Sequence, residues 1–423
     1  MDLFVGYRRR HSVRPALIGR APSSRLFNVV VIPCYDETAG EVAAMLDALV
    51  SCIPPQKDVE VLVVINAAAG DDPAVLGRNR VLYDMLREEL PRWEHAKLTL
   101  HPLLFEDFPP GRAGVGLARK TGMDEALWRL QAAGRDDGII TSLDADTRVE
   151  KNYLTVLEDF FLNNPRTDGV SLYFEHPLQG PFPPAVYRGI MQYELHLRYF
   201  VRALRHAGHP FAYHTVGSAF AVRARAYMQQ GGMNTRQGGE DFYFLQKIIM
   251  AGHFADLTTT RVIPSPRPAR RVPFGTGPEM YRFMTGEKDT FLTYSLEAFA
   301  DLRIFSGLAA AWFGSGVPAA ELYEKLPSSL RHFLPREEFS GRMNEIAGNV
   351  ATAKAFAKRF FRWFDAFRVI KYLNHIHSGF YTRKPVISEA AELLRSKGMR
   401  EVPEDLHALL ERYREMDRGG RTV

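Results

Sequence analysis

The chain has 423 residues, enough for two or three domains, with 46% hydrophobic and 24% charged positions, which excludes disordered, collagenous and disulfide-scaffold classes. Its 54 basic and 49 acidic residues leave a charge of +5, too even a balance for a nucleic-acid footprint but compatible with an anionic substrate or a membrane surface. Cys34 and Cys52 are the only cysteines and neither sits in a CxxC or Cys/His cluster, which argues against a disulfide framework or a zinc site and fits a reducing cytoplasm.

The first 24 residues read as a basic, mobile leader without the apolar core of a signal peptide. "LFNVVVIPCYDE" then reads as a buried strand stopped by Pro33, because its unbroken β-branched run suits a strand covered on both faces. "TAGEVAAMLDALVSCI" places Val42, Met45, Leu46 and Leu49 at helical spacing, with Thr38 as its cap. "DVEVLVVINAAAGDDP" repeats the strand-to-turn pattern, "AVLGRNRVLYDMLREEL" the helix, and "AKLTLHPLLF" supplies a third strand. A helix from Gly114 to Ala133, the strand "DGIITSLDAD", a helix from Glu150 to Leu162 and the strand "DGVSLYFEHP" follow. Such alternation predicts an α/β fold with a mostly parallel sheet, right-handed crossovers and helices on its faces.

After residue 184 comes a long aromatic-rich helix, whose Tyr187, Tyr193, Tyr199 and Phe200 suit core packing better than sugar stacking. The strand-like "YHTVGSAFAVRA", the stretch "GGMNTRQGGEDFYFLQKIIMAGHF" and a Pro/Arg/Gly loop, "IPSPRPARRVPFGTGPEM", lead to an almost wholly helical remainder. The boundaries expected are a leader at 1–24, a catalytic domain at 25–275 and a helical C-terminal region at 276–423. The longest uncharged run, Ile304 to Ala320, is short for a membrane span and is broken by three glycines and a proline. "AFAKRFFRWFDAFRVIKYL" could lie on a membrane surface, but packing on the rest of the protein is the better account, so the chain reads as cytoplasmic with peripheral membrane contact left open.

Ligands of parallel sheets collect at the carboxyl ends of the strands, where Asp144-Ala145-Asp146 falls. Carboxylates at i and i+2 offer the hard oxygen donors that Mg²⁺ or Mn²⁺ accept beside phosphate oxygens, although turn and capping roles serve equally for the motif alone. Gly238-Gly239-Glu240-Asp241 opens a helix, where its dipole favours acids and where a carboxylate can also take a proton. "GRAGVGLARKTG" lacks the third glycine and the preceding strand of a dinucleotide fingerprint.

Taken in order, "IPCYDE", the second strand with its polar turn, "GLARKTGMDEAL", "LDAD" and "GGED" resemble glycosyltransferase family 2, over residues 27 to 255. The resemblance implies a GT-A-like fold, Rossmann-like with a helical C-terminal region, and inverting transfer of a sugar from a nucleotide-diphosphate donor to a hydroxyl of a glycan or glycolipid acceptor. It implies that Pro33, Tyr35 and Glu37 line the nucleotide pocket, that Arg119 lies near the nucleotide and that Asp144 meets the sugar nucleotide. It further makes Asp146, with Asp144, the Mn²⁺ or Mg²⁺ ligand and Asp241, beside Glu240, the catalytic base. Lys120 replaces the family's Asn after Arg119, and Asp36 its Asn after Tyr35. Ile65 and Asn66 stand where the family has an Asp that reads the base; Asn66 keeps a donor and an acceptor, and Asp71 or Asp72 can act from further along the loop. Arg267, Arg270 and Arg271 lie in a loop that can fold over the diphosphate. A catalytically silent scaffold that binds sugar nucleotides or glycans is the alternative of a different class.

Overall fold

A computed structural model describes residues 3–271 and 275–419. The chain forms two compact units, one made of residues 1–182, 215–281 and 417–423 and the other of 183–214 and 282–416.

The first unit begins with helix α1 (Leu3–His11), β1 (Leu26–Cys34), α2 (Ala39–Val50), β2 (Asp58–Ala68), α3 (Pro73–Glu88), the short α4 (Leu90–Trp93) and β3 (Leu98–Phe108). It continues through α5 (Val115–Ala132), β4 (Ile139–Ser142), β5 (Arg148–Val149), α6 (Tyr153–Asn163) and β6 (Gly169–Phe174). Helix α7 (Pro184–His206) belongs to the second unit; the first resumes with β7 (Phe220–Arg223), α8 (Ala224–Gln229), α9 (Glu240–Ala251), β8 (Phe254–Ile263) and the first part, to Tyr281, of α10 (Thr276–Thr285).

The strands make one eight-stranded sheet in the order β3-β2-β1-β4-β7-β6-β8-β5. β3, β2, β1 and β4 are mutually parallel, β7 runs against both β4 and β6, and β5 runs against β8. This is the mostly parallel α/β architecture that the strand and helix periods predicted. All nine residues of β1 are buried, because β2 and β4 flank it and α5 covers it. Gly122 makes that cover possible: a Cβ there would lie 2.5 Å from Val31 and 2.8 Å from Val64.

Three local expectations change. β1 does not stop at Pro33 but runs to Cys34. The Val31 carbonyl accepts from the Leu143 amide across the β4 edge, so the missing N–H of Pro33, two residues on, faces the same way, where β4 has ended. The described part of the leader, from residue 3, is docked, not mobile. Asp124 accepts from the Tyr7 hydroxyl at 2.6 Å, the Tyr227 hydroxyl at 2.7 Å and the Val13 amide at 3.1 Å, while Glu125 accepts from the amides of Leu17 and Ile18. Strand β8, to which the sequence reading assigned nothing, pairs with both β6 and β5.

The second unit is helical apart from the two-stranded pair β9 (Leu292–Thr293) and β10 (Lys384–Pro385). Its helices are α7, α11 (Leu296–Trp312), α12 (Ala319–Glu324), α13 (Ser328–Phe333), α14 (Arg336–Gly348), α15 (Ala353–Trp363), α16 (Ala366–Ile376), α17 (Val386–Ser396) and α18 (Leu406–Arg418). The segment that could have lain on a membrane breaks into α15 and α16, with Asp365 capping the second by accepting from the Arg368 amide at 2.9 Å. Phe356, Phe360, Phe364, Val369, Tyr372 and Leu373 are buried, so its apolar faces are spent on packing. The α7 aromatics follow suit, with Tyr199 fully buried edge-on to Phe299. Among the described residues no helix is long and apolar enough to cross a membrane.

Candidate functional site

The chain places β2 and β3 on one side of β1 and then crosses to put β4 on the other, so its topological switch point lies between β1 and β4. Side chains beyond the carboxyl ends of two such strands face a common crevice. Val31 stands opposite Ser142, so the two strands run out together and Tyr35 to Glu37 meet Asp144 to Asp146.

Arginines brace this edge. Arg119 comes from the second turn of α5 and is 2% exposed; its guanidinium donates to Asp144 at 2.6 Å and to Glu240, tying the end of β4 to the start of α9. Arg267 reaches Glu37 at 2.8 Å, Glu41 at 2.6 Å and Asp146 at 3.3 Å. Arg271 adds a pairing with Glu37 at 2.7 Å and a bond to the Tyr35 carbonyl. Arg270 does not join them and stacks on Tyr281 at 4.1 Å. The edge therefore gathers Glu37, Glu41, Asp144, Asp146, Glu240 and Asp241 against three guanidiniums, an excess of negative charge. Burial pushes the Asp146 carboxyl up to about 7, with Arg267 pulling it down and Asp144 and Glu37 adding to the rise.

Glu240 and Asp241 open α9 behind Gly239, whose φ of 68° is the left-handed conformation that glycine adopts without cost. Glu240 is buried, and its carbonyl accepts from the Asn234 side chain at 2.8 Å. Burial raises the Asp241 carboxyl above its ordinary value, against the pull of Arg119. Gly217 keeps these groups together: a Cβ there would come within 3.0 Å of the Arg119 guanidinium and 3.1 Å of Asp241 Oδ2.

Around β1 and β2 the predicted residues divide. Asp36 has a φ of 55°, a conformation that Asp and Asn tolerate best among residues other than glycine, so the exchange of one for the other after Tyr35 preserves the turn. Asn66 is 2% exposed and spends its side-chain amide on the Cys34 carbonyl at 2.7 Å, fastening β2 to the end of β1, while its Oδ1 is buried without a partner among the described residues. Asp72 caps α3 by accepting from the Ala74 amide, whereas Asp71 hydrogen-bonds the Tyr35 hydroxyl, whose pKa burial raises first and Asp71 second. Lys120 turns away from the edge to Asp124 at 3.2 Å and the Tyr7 hydroxyl at 3.1 Å.

Searches against family models and against curated proteins find no match. Among solved structures, residues 1–349 of TarS from S. aureus align over 94% of this chain and 93% of that one, at 13% identity and a TM-score of 0.39. The same TarS segment in complex with UDP-GlcNAc aligns over 84% and 93%, at 13% identity and a TM-score of 0.41. The mannosyltransferase PcManGT from Pyrobaculum calidifontis, in complex with GDP-Man and Mn²⁺, aligns over 86% and 95%, at 16% identity and a TM-score of 0.36.

Sequence reasoning missed two members of this edge. Glu41 carries the signal of a capping box with Thr38, to whose hydroxyl oxygen its amide donates at 3.3 Å, but nothing local announces Arg267, 226 residues away. Gly217 is one of 33 glycines, and only its tertiary neighbours distinguish it. Among the described residues no group of three or more His, Cys, Asp or Glu side chains forms a ready-made metal cage. Two carboxylates suffice for a cation of the Mg²⁺ or Mn²⁺ type, which completes its shell with water and phosphate oxygens. Asp144 and Asp146 provide hard oxygen donors on an edge with surplus negative charge, so this donor set fits such an ion.

Proposed function

We propose that the chain is a metal-dependent glycosyltransferase that moves a sugar from a nucleotide-diphosphate donor to a hydroxyl of a glycan or glycolipid with inversion. The observation that carries the reading is the surplus of carboxylates at the β1/β4 switch point, six against three guanidiniums. A diphosphate would be repelled there unless a cation intervened, and two of the carboxylates stand where the resemblance to glycosyltransferase family 2 puts its metal site. Asp146, with Asp144, would hold Mn²⁺ or Mg²⁺, which would offset charge on the leaving diphosphate.

The chain's own residues supply the rest. Tyr35 and Asp71, joined by a hydrogen bond, offer a ring face and a carboxylate to the base and ribose. Arg119 orients the Asp144 carboxylate from one side and Glu240 from the other. Asp241 accepts the proton of the acceptor hydroxyl while that oxygen bonds to the anomeric carbon and the bond from that carbon to the diphosphate oxygen breaks, in line and with inversion. Arg267 and Arg271, held on Glu37 in the free enzyme, exchange this carboxylate for donor phosphate oxygens as the loop closes. Arg271→Ala should then raise the donor KM, and an unchanged value would remove Arg271 from the donor site.

The deciding test is calorimetric titration with uridine, guanosine and thymidine diphosphates, with and without Mn²⁺, on the protein and on Asp146→Ala. The reading expects one nucleotide to bind only with the metal and to be lost in the variant. Binding of none, or binding indifferent to Asp146, would leave the carboxylates as turn and cap residues and favour a silent scaffold.

A further inference from the structure

A recess of the first unit lies apart from the acidic edge. It is a cavity of about 750 Å³, within the size range of small-molecule sites, between the end of α1, the β3–α5 connection and residues 231–235. Its lining is basic. Arg10, Arg14, Arg112, Lys120 and Lys247 contribute cations, and Asp107 is the one carboxylate among its described lining residues.

Most of that charge is uncompensated. Arg14 is satisfied by Asp107 at 2.7 Å, and Lys120 by Asp124 at 3.2 Å. Arg10, Arg112 and Lys247 have no carboxylate partner among the described residues; they make only single bonds to Gly6 O at 3.1 Å, Thr235 Oγ1 at 3.4 Å and Gln230 O at 3.4 Å. His11 lies beside them, its imidazole held below its ordinary pKa by burial first and then by Lys120, Arg10 and Lys247, with Asp124 opposing. Like charges that converge without a counter-charge weaken a fold unless an anion joins them.

The cavity is a construction of tertiary structure. Gly232, at a φ of 72°, has no Cβ where one would lie 2.1 Å from the Tyr7 hydroxyl, which lets α1 close one wall. Asn234 lines the cavity and also donates to the Glu240 carbonyl, so this wall and the start of α9 share a residue. Helix α5 serves both places, since neighbouring positions point about 100° apart around a helix: Arg119 meets the acidic edge and Lys120 the cavity.

We propose that this basic cavity is a second binding site, selective for a phosphate-bearing small molecule or headgroup and separate from the nucleotide-sugar site. Phosphate suits it better than a carboxylate because several cations on different elements can each take one of its oxygens. The acidic edge needs a metal to accept such an anion, whereas the cavity does not, and this difference separates the two in experiment.

The probe is inorganic pyrophosphate, titrated calorimetrically into the full chain in EDTA, with Asp146→Ala, Arg112→Gln and Lys247→Gln in parallel. The expected result is one site that weakens with salt, is unchanged in Asp146→Ala, and loses about tenfold in Kd in each of the other two, the loss of one charge-assisted bond. Both substituted side chains are exposed, so folding should survive, and unchanged melting temperatures would verify it. No binding, or binding that ignores both substitutions, overturns the proposal. Flotation with phosphatidylcholine vesicles, with and without phosphatidic acid, identifies the source of the phosphate. Flotation that needs phosphatidic acid and is lost in Lys247→Gln assigns a lipid headgroup; pyrophosphate binding without flotation assigns a soluble metabolite.

Discussion

Asp241 illustrates how one side chain is set up by its surroundings. It opens a helix and sits against Gly217, and burial lifts its carboxyl while Arg119 restrains the rise. If it takes the acceptor proton, Asp241→Asn should lower kcat by roughly 10²- to 10⁴-fold with nucleotide affinity intact. Matched turnover and calorimetry would show this, and a parallel loss of affinity would make Asp241 a positioning residue instead. Asp146 carries a pH signature. Its carboxyl stands near 7 when folded against 3.8 when unfolded, so the folded state holds the proton more tightly and loses stability as pH rises between those values. In EDTA, the melting temperature of the protein should fall relative to Asp146→Asn as pH rises from about 4 to about 7. Parallel curves would mean that Asp146 is solvated like an ordinary aspartate.

Element packing depends on where glycines permit close approach. α5 lies on β1 and β2 through Gly122, and the same helix aims Arg119 at Asp144 one turn earlier. Gly122→Ala meets the side chains of two different strands at once, so it should cost about 1–3 kcal/mol of stability in chemical denaturation and lower activity with it. Gly116 explains the rest of "GRAGVGLARKTG": a Cβ there would lie 2.0 Å from the Arg236 carbonyl, so the glycine admits a neighbouring loop and not a pyrophosphate. The helices themselves were readable, because Val42, Met45, Leu46 and Leu49 repeat at helical spacing and all four are buried. The fate of 254–263 was not readable. "FADLTTTRVI" mixes polar and apolar residues without a clean alternation, and it becomes a strand only because β6 and β5 lie ready to pair with it.

Across the whole molecule the chain passes between its two units four times, and the second unit is assembled from α7 and the residues after 282. Inside it Glu194, fully buried, is held by Arg198 at 2.8 Å on the same helix and by Arg414 at 2.7 Å from 220 residues away. A chain cut after residue 281 would leave the apolar face of α7 and the Glu194 carboxylate without these partners. It should bind hydrophobic dye and aggregate, and a monodisperse, dye-negative fragment would show that α7 packs adequately without them.

By itself the sequence determined most of the local elements, though neither β8 nor the docked leader, and the positions of Asp144, Asp146, Glu240 and Asp241 at element ends, because periodicity, capping and β-branched runs act over a few residues. The tertiary structure alone decided which carboxylates face one another and which cations hold them. It alone converted the basic leader into the wall of a cavity and brought Arg267 to Glu37 and Arg414 to Glu194, since Coulomb attraction and close packing depend on distance in space and leave no trace in sequence spacing.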